Sequence, residues 1–207
     1  MTEPDVVLTD LALALQAAWF ARVLGREVAD AWQRASLRAL FGGLALAALT
    51  GGLWHGFWTL PSPQSDRVWW LTMVFAGIAA GGYALVGLGL HRRRRMSAAF
   101  AVAVVVTGYA VAAFLYPDFR LTVLIVIPAT VVFASGLWRQ WSRPGAGLAM
   151  VGAVLELLAA IPQQLGVGLD AVHLSHNAVY HLLLLAAHYL LYRGLRRLLA
   201  PSLRPSG

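Results

Sequence analysis

The stretch VWWLTMVFAGIAAGGYALVGLGL, at positions 68–90, runs through 23 residues without a charge. A transmembrane helix needs roughly 20 consecutive, mainly apolar residues, so this stretch is long enough to cross a bilayer. Comparable runs recur on both sides of it, and we predict seven helices, at about 10–24, 37–58, 68–90, 98–116, 121–138, 146–161 and 174–192. The sequence therefore predicts an all-α polytopic membrane protein, with residues 1–207 forming a single transmembrane domain.

The composition also indicates lipid as the solvent. Apolar residues make up 59% of the chain and charged residues 12%, whereas soluble domains have about 45–50% and about 25%. All 16 basic residues are arginine, so a retinal or other Schiff-base lysine is excluded. The absence of cysteine excludes disulfides and thiolate metal sites. Because the arginines lie in short clusters between apolar runs, we expect no nucleic-acid binding.

The arginines are distributed unequally between the two sides of the predicted bundle. One side carries Arg26, Arg34, Arg38, Arg92 to Arg95, Arg139, Arg143, Arg193, Arg196 and Arg197. The other side carries only Arg67 and Arg120, together with an acidic amino terminus that does not resemble a cleaved signal peptide. The positive-inside rule then predicts an integral cell-membrane protein with its amino terminus outside and its carboxy terminus in the cytoplasm.

Ionisable residues inside a membrane are costly and usually face a cavity or a partner, so they indicate function. His55 follows two glycines in GGLWHGF, where another backbone or a ligand can approach the helix closely, and Asp66 begins the next helix on the same side. At about 1.5 Å per residue, Glu156 and His181 lie at similar depth. Asn177 shares a helical face with His181. We expect these five residues to meet in one polar pocket that opens to the outside.

Histidine and carboxylate side chains in one pocket favour metal chemistry. Neutral imidazole binds zinc well, and a catalytic zinc typically has three protein ligands and a water. A nearby carboxylate can orient that water or relay its proton. The alternative for each histidine is a hydrogen bond that packs two helices together, with Glu156 as one such partner. We interpret His188, in the inner half of the predicted bundle, as a packing residue of this kind.

His55, Asp66 eleven residues later, and His181 on the last helix resemble the pattern of the CREST superfamily. This seven-helix superfamily contains alkaline ceramidases and adiponectin/progestin-type receptors. Its members combine a helix-two serine and histidine, an aspartate near helix three and an H-x-x-x-H pair on helix seven in a zinc-dependent hydrolase site. The same segments are also similar to a bacterial group of uncharacterised membrane proteins.

Two positions depart from the superfamily pattern. Gly51 stands where the serine would be, and Asn177 stands where the first histidine of the pair would be. His176 is adjacent and is the natural substitute as a ligand. On an ideal helix it lies about 140° from His181, so the two converge only if the first turn is irregular.

The resemblance implies a zinc-dependent membrane hydrolase that cleaves an amide or ester bond of a lipid arriving from the outer leaflet. In this hypothesis His55, His176 and His181 bind zinc. Asp66 assists the water or orients a ligand, and Glu156 orients a ligand or relays a proton.

Other functional classes are compatible with the same residues. Gly51 and Asn177 favour a non-catalytic membrane protein that binds a lipid or small molecule. Haem held between His55 and His181 is a third possibility. A transporter is disfavoured because the sequence shows no inverted repeat.

Overall fold

A computed structural model describes residues 3–91, 95–169 and 174–199, and this part of the chain is helical. Its elements are α1 (Pro4–Glu27), α2 (Ala31–Phe57), α3 (Pro63–Leu90), α4 (Arg95–Leu115), α5 (Arg120–Arg139), α6 (Ala146–Gln164) and α7 (His176–Leu199). The described residues contain no β-strand, only an isolated bridge between Leu169 and Leu174. The all-α prediction and the count of seven helices are confirmed. Arg92–Arg94, from the predicted arginine cluster, lie outside the described residues.

Several helices extend beyond the apolar runs because polar residues provide their starting signals. α1 begins at Pro4 instead of near residue 10, with proline and Asp5 in its first turn, both of which favour a helix amino terminus. The Asp30 side chain accepts a hydrogen bond from the backbone N–H of Gln33 at the start of α2. Ser62 caps α3 in the same way. Capping thus fixes the starts of α2 and α3, which hydrophobicity alone did not locate.

Close helix packing depends on glycines. α3 packs against α2, α4 and α5. α1 packs against both α2 and α7, and α6 packs mainly against α7. A Cβ atom at Gly43 would lie 2.7 Å from the backbone nitrogen of Ala79, and one at Gly152 would lie 2.6 Å from that of Leu191. The α2–α3 and α6–α7 pairs therefore touch backbone to backbone, as small-residue interfaces allow. α5 and α6 pack only loosely against each other.

One end of the bundle is filled by an apolar group that we call the sealing cluster, consisting of Phe20, Phe41, Phe133, Tyr192 and Leu195, all buried. Phe20 stacks on Tyr192 with ring centroids 4.1 Å apart and meets Phe41 edge-on. These side chains come from α1, α2, α5 and α7, so they close the bundle at the end where α2 begins and α7 finishes.

Six helices, α1 to α6, are long and apolar enough to cross a membrane, within the part of the chain that the structure describes. Large apolar side chains such as Leu15, Phe100 and Leu124 are exposed on their outer faces. α7 is not one of the six, and its three histidines lower its hydropathy. The prediction of seven crossing helices is therefore supported by length and composition for six of them.

Candidate functional site

A cavity of about 460 Å³ lies inside the bundle and is lined by residues of α1, α2, α3, α5, α6 and α7. Most of its wall is apolar. Its polar and ionisable lining consists of Asp10, His55, Thr72, Tyr83, Asp118, Arg120, Thr122, Glu156, Gln163, Gln164, His176, Asn177, Tyr180, His181 and His188. Such a cavity, mostly apolar with a few polar groups, is typical of small-molecule sites.

Asp10 of α1 and His181 of α7 form the first polar group in this wall. The Asp10 side chain is only 5% exposed, and its Oδ1 lies 3.5 Å from His181 Nε2. The hydroxyl of Thr9 donates to the carbonyls of Val6 and Asp5 and lies 3.1 Å from His181 Nδ1.

His181 uses both ring nitrogens in contacts with α1. Nδ1 shares a hydrogen bond with the Thr9 hydroxyl, and its direction depends on the tautomer of the imidazole. Nε2 faces the carboxyl of Asp10. Asp10 Oδ2 has no hydrogen-bond partner among the described residues. This oxygen is therefore an acceptor that is left over in the wall.

Gly51 and Gly52 admit the side chain of Asp10 between α1 and α2. A Cβ atom at Gly52 would lie 3.0 Å from Asp10 Cβ, and one at Gly51 would lie 3.5 Å from Asp10 Oδ2. The glycine pair was expected to permit close approach of another backbone or a ligand, whereas the nearest group is the side chain of Asp10. Asp10 was not predicted as a site residue, because it stands at the start of the first apolar run.

His55 lines the cavity near the amino terminus of α1. Its Nδ1 contacts the carboxylate of Glu3, and its ring meets Trp54 edge-on. The indole N–H of Trp54 donates to Ser65 Oγ at 3.0 Å, which fixes the end of α2 against the start of α3.

A second polar group lies deeper in the cavity and joins α3, α6 and α7. The hydroxyl of Tyr83, which is fully buried, donates to Glu156 Oε2. His188 Nε2 lies 3.8 Å from the same oxygen, and the His188 side chain is only 3% exposed. Neither ring nitrogen of His188 has a hydrogen-bond partner among the described residues. His188 lines the cavity beside a carboxylate of α6, and the packing role that the sequence suggested stays a prediction.

The structure brings most of the predicted site residues together. His55, Glu156, His176, Asn177 and His181 all line the one cavity.

Asp66 is the exception among the predicted site residues. It is exposed in the first turn of α3 and does not line the cavity. The preceding residue, Ser65, is buried and turned toward Trp54. Successive helical residues point about 100° apart, so Asp66 faces outward.

The three predicted zinc ligands line the cavity without forming a metal-binding cluster. Among the described residues, no three histidine, aspartate or glutamate side chains are close enough together to hold a metal ion. Nδ1 of His55 contacts Glu3, and Nδ1 of His181 contacts Thr9. The zinc site of His55, His176 and His181 thus stays a prediction.

The fold and the cavity define a class of protein: a helical bundle with six helices suited to a membrane, enclosing a cavity whose wall carries ionisable side chains. The chain belongs to the family of unknown function DUF6962, whose family model matches residues 6–200. That match takes in nearly all of the helical region. No curated protein and no solved structure matches the chain.

Proposed function

We propose that this chain is an integral membrane protein whose seven helices all cross the bilayer, with the amino terminus outside and the carboxy terminus in the cytoplasm. α1 to α6 have the required length and hydropathy. α7 packs against α6 and α1, and its histidines face the cavity instead of the lipid. The excess of arginine on one side supports the orientation.

The cysteine-free sequence makes this topology directly testable. Gln64 and Ser142 are both exposed, at opposite ends of the bundle. In intact cells a membrane-impermeant maleimide should label the Gln64→Cys variant and should label Ser142→Cys only after permeabilisation. The reverse pattern would contradict the orientation, and labelling of both variants in intact cells would contradict the seven crossings.

The cavity binds an amphipathic molecule of the membrane, with its apolar part against the aliphatic wall and its polar part against the ionisable groups. One observation carries this proposal: two carboxylates, Asp10 and Glu156, face an otherwise mainly apolar cavity inside the bundle. Burying such groups is costly unless they are paired. In this protein their ion-pair partners among the described residues are histidines. A ligand with a polar head would complete the pairing.

The seam between α5 and α6 offers a route for such a ligand. These two helices pack only loosely, and Ile127 of α5, which lines the cavity, is 47% exposed. We expect a molecule dissolved in the bilayer to reach the cavity by a separation of these two helices.

Mass spectrometry of an organic extract tests the proposal. Protein purified in a mild maltoside detergent should retain an amphipathic molecule that is enriched over the total membrane extract. The Glu156→Gln variant should retain less of it, and the control Glu27→Gln, which makes the same chemical change outside the cavity, should retain as much as the wild type. The absence of any enriched molecule in the wild-type extract would refute the binding function.

A metal-dependent lipid hydrolase is the second candidate. His181 Nε2 and Asp10 Oδ1 lie 3.5 Å apart. The contacts of His55 Nδ1 with Glu3 and of His181 Nδ1 with Thr9 resemble those that orient metal-binding histidines. This arrangement favours the hydrolase predicted from the CREST resemblance. Elemental analysis of the purified protein tests this candidate. One equivalent of zinc in the wild type that is lost in both His55→Ala and His181→Ala would support the hydrolase. Zinc-free wild-type protein would remove it.

A further inference from the structure

The deep end of the cavity contains a histidine whose hydrogen-bonding capacity is unused. His188 is almost completely buried, yet neither of its ring nitrogens has a partner among the described residues. Its distance of 3.8 Å from Glu156 Oε2 is too long for a hydrogen bond. A buried polar group stabilises the protein more when it has a hydrogen-bond partner than when it has none. A ligand group that lies in the cavity beside both His188 and Glu156 can be that partner.

Acceptors predominate among the buried atoms of the wall that have no hydrogen-bond partner. The oxygens Asp10 Oδ2 and Gln163 Oε1 have no partner in the described part of the chain. A neutral His188 adds one acceptor and one donor. A ligand that fits this wall has to bring several N–H or O–H groups of its own.

The charge of the lining has the same consequence. The described lining includes the carboxylates of Asp10, Asp118 and Glu156 and only one guanidinium, that of Arg120. Arg120 follows the α4–α5 connection, where its backbone N–H bonds the side chain of Asp118. The two carboxylates further inside have no arginine partner among the described residues. The lining therefore favours a cation and repels an anionic head.

We propose that the cavity selects amphipathic amines, with the ammonium group held between Glu156 and His188 at its deep end. This inference rests on the proposed binding function and names its ligand class. An ammonium group has three N–H donors and one positive charge. It can donate to the carboxylate of Glu156 and to the unprotonated nitrogen of His188, while its alkyl part lies along Leu44 and Val126, which line the same cavity.

Three ligands with the same eight-carbon chain test this inference on the wild-type protein: octylamine, octan-1-ol and octanoate. Binding is measured by equilibrium dialysis of labelled ligand in neutral maltoside micelles, with protein-free micelles subtracted and EDTA present to remove bound metal. Octylamine should bind at least about tenfold more tightly than octanol, because charge-assisted hydrogen bonds are roughly twice as strong as neutral ones. Octanoate should bind most weakly.

Substitutions locate the selectivity. Glu156→Gln keeps the shape of the side chain and one acceptor oxygen, but it removes the charge and replaces the second oxygen by an NH2 donor. The preference for octylamine over octanol should therefore fall to near parity while octanol binding is retained. The control Glu27→Gln should keep the full preference. Octyltrimethylammonium, which is charged but has no N–H donor, should bind more weakly than octylamine to the wild type.

The outcomes separate the two proposals. Equal wild-type affinities for octylamine and octanol would overturn the amine inference and leave the general binding function standing. An amine preference that persists in Glu156→Gln would overturn the assignment of the ammonium to this site. Failure of all the eight-carbon ligands to bind would refute both proposals.

Discussion

Replacing Gly51 by serine should stabilise the protein, because the new hydroxyl would meet a buried oxygen that has no partner. Asp10 Oδ2 lies in the wall without a hydrogen bond from any described residue. A Cβ atom at Gly51 would lie 3.5 Å from this oxygen and 3.6 Å from Thr72 Cγ2. Both distances are ordinary van der Waals contacts, so the side chain has room. A hydroxyl one bond further from the backbone comes within roughly 2.5–3.0 Å of the carboxylate oxygen.

The magnitude follows from comparison with Gly51→Ala, which has the same Cβ atom and no donor. Both variants replace a helical glycine and share the associated gain of up to about 1 kcal/mol. Leaving a buried acceptor without a partner costs about 1–3 kcal/mol, and serine is a weaker helix former than alanine by about 0.5 kcal/mol. The serine variant should therefore exceed the alanine variant by about 0.5–2.5 kcal/mol in free energy of unfolding.

Reversible unfolding in mixed maltoside and dodecyl sulfate micelles, followed by circular dichroism, measures both variants under identical conditions. In an Asp10→Ala background the advantage of serine over alanine should vanish, since the acceptor is gone. If serine is no more stable than alanine in the wild-type background, Asp10 Oδ2 is not an unsatisfied acceptor, and the account of this wall is wrong. Position 51 is also where the CREST pattern has its serine, so the same variant tests how that residue fits this fold.

Three further predictions use the same unfolding assay. Gly43→Ala should be about 1–3 kcal/mol less stable than Gly42→Ala. A Cβ atom at Gly43 would meet the α3 backbone, whereas one at Gly42 would have nothing within 4 Å. Equal stabilities of the two variants would contradict the α2–α3 packing. Phe20→Ala should lower the free energy of unfolding by about 3–5 kcal/mol, since the ring is fully buried and stacked on Tyr192. A loss as small as that of a surface substitution would contradict the burial of the sealing cluster. Glu27→Gln should lower the free energy of unfolding by less than about 1 kcal/mol, and by still less in high salt. The reason is that the ion pair of Glu27 with Arg196, at 2.6 Å, is exposed to solvent. A larger loss would show that the pair is not a surface contact.

The presence of the seven helices could be predicted from the sequence, because a bilayer leaves few alternatives to a long apolar helix. It also placed Glu156 and His181 at a common depth from the helical rise, and both line the cavity. Depth along a helix can be calculated from residue spacing alone. Orientation around the helix cannot, because it depends on which neighbours the helix packs against.

Asp66 and Asp10 both illustrate that limit: Asp66 was predicted to line the cavity and does not, whereas Asp10 was not predicted to line it and does. Asp66 was selected because of its spacing from His55, but the inward turn of Ser65 directs Asp66 to the surface. Asp10 was overlooked because it stood at the edge of an apolar run. Its signal was nevertheless present: α1 begins with proline and an acidic first turn, so Asp10 is already in its second turn, and a carboxylate inside an apolar helix needs a partner.

The sealing cluster has a consequence for how the protein responds to its surroundings. In the described part of the chain, stacked and edge-on aromatic rings from α1, α2 and α7 fill the bundle beyond the deep end of the cavity. We therefore expect the cavity to exchange molecules with the opposite end of the bundle only if this packing is broken. With the bundle in a bilayer, two compartments could hold very different ligand concentrations, and the occupancy of the cavity would report only one of them.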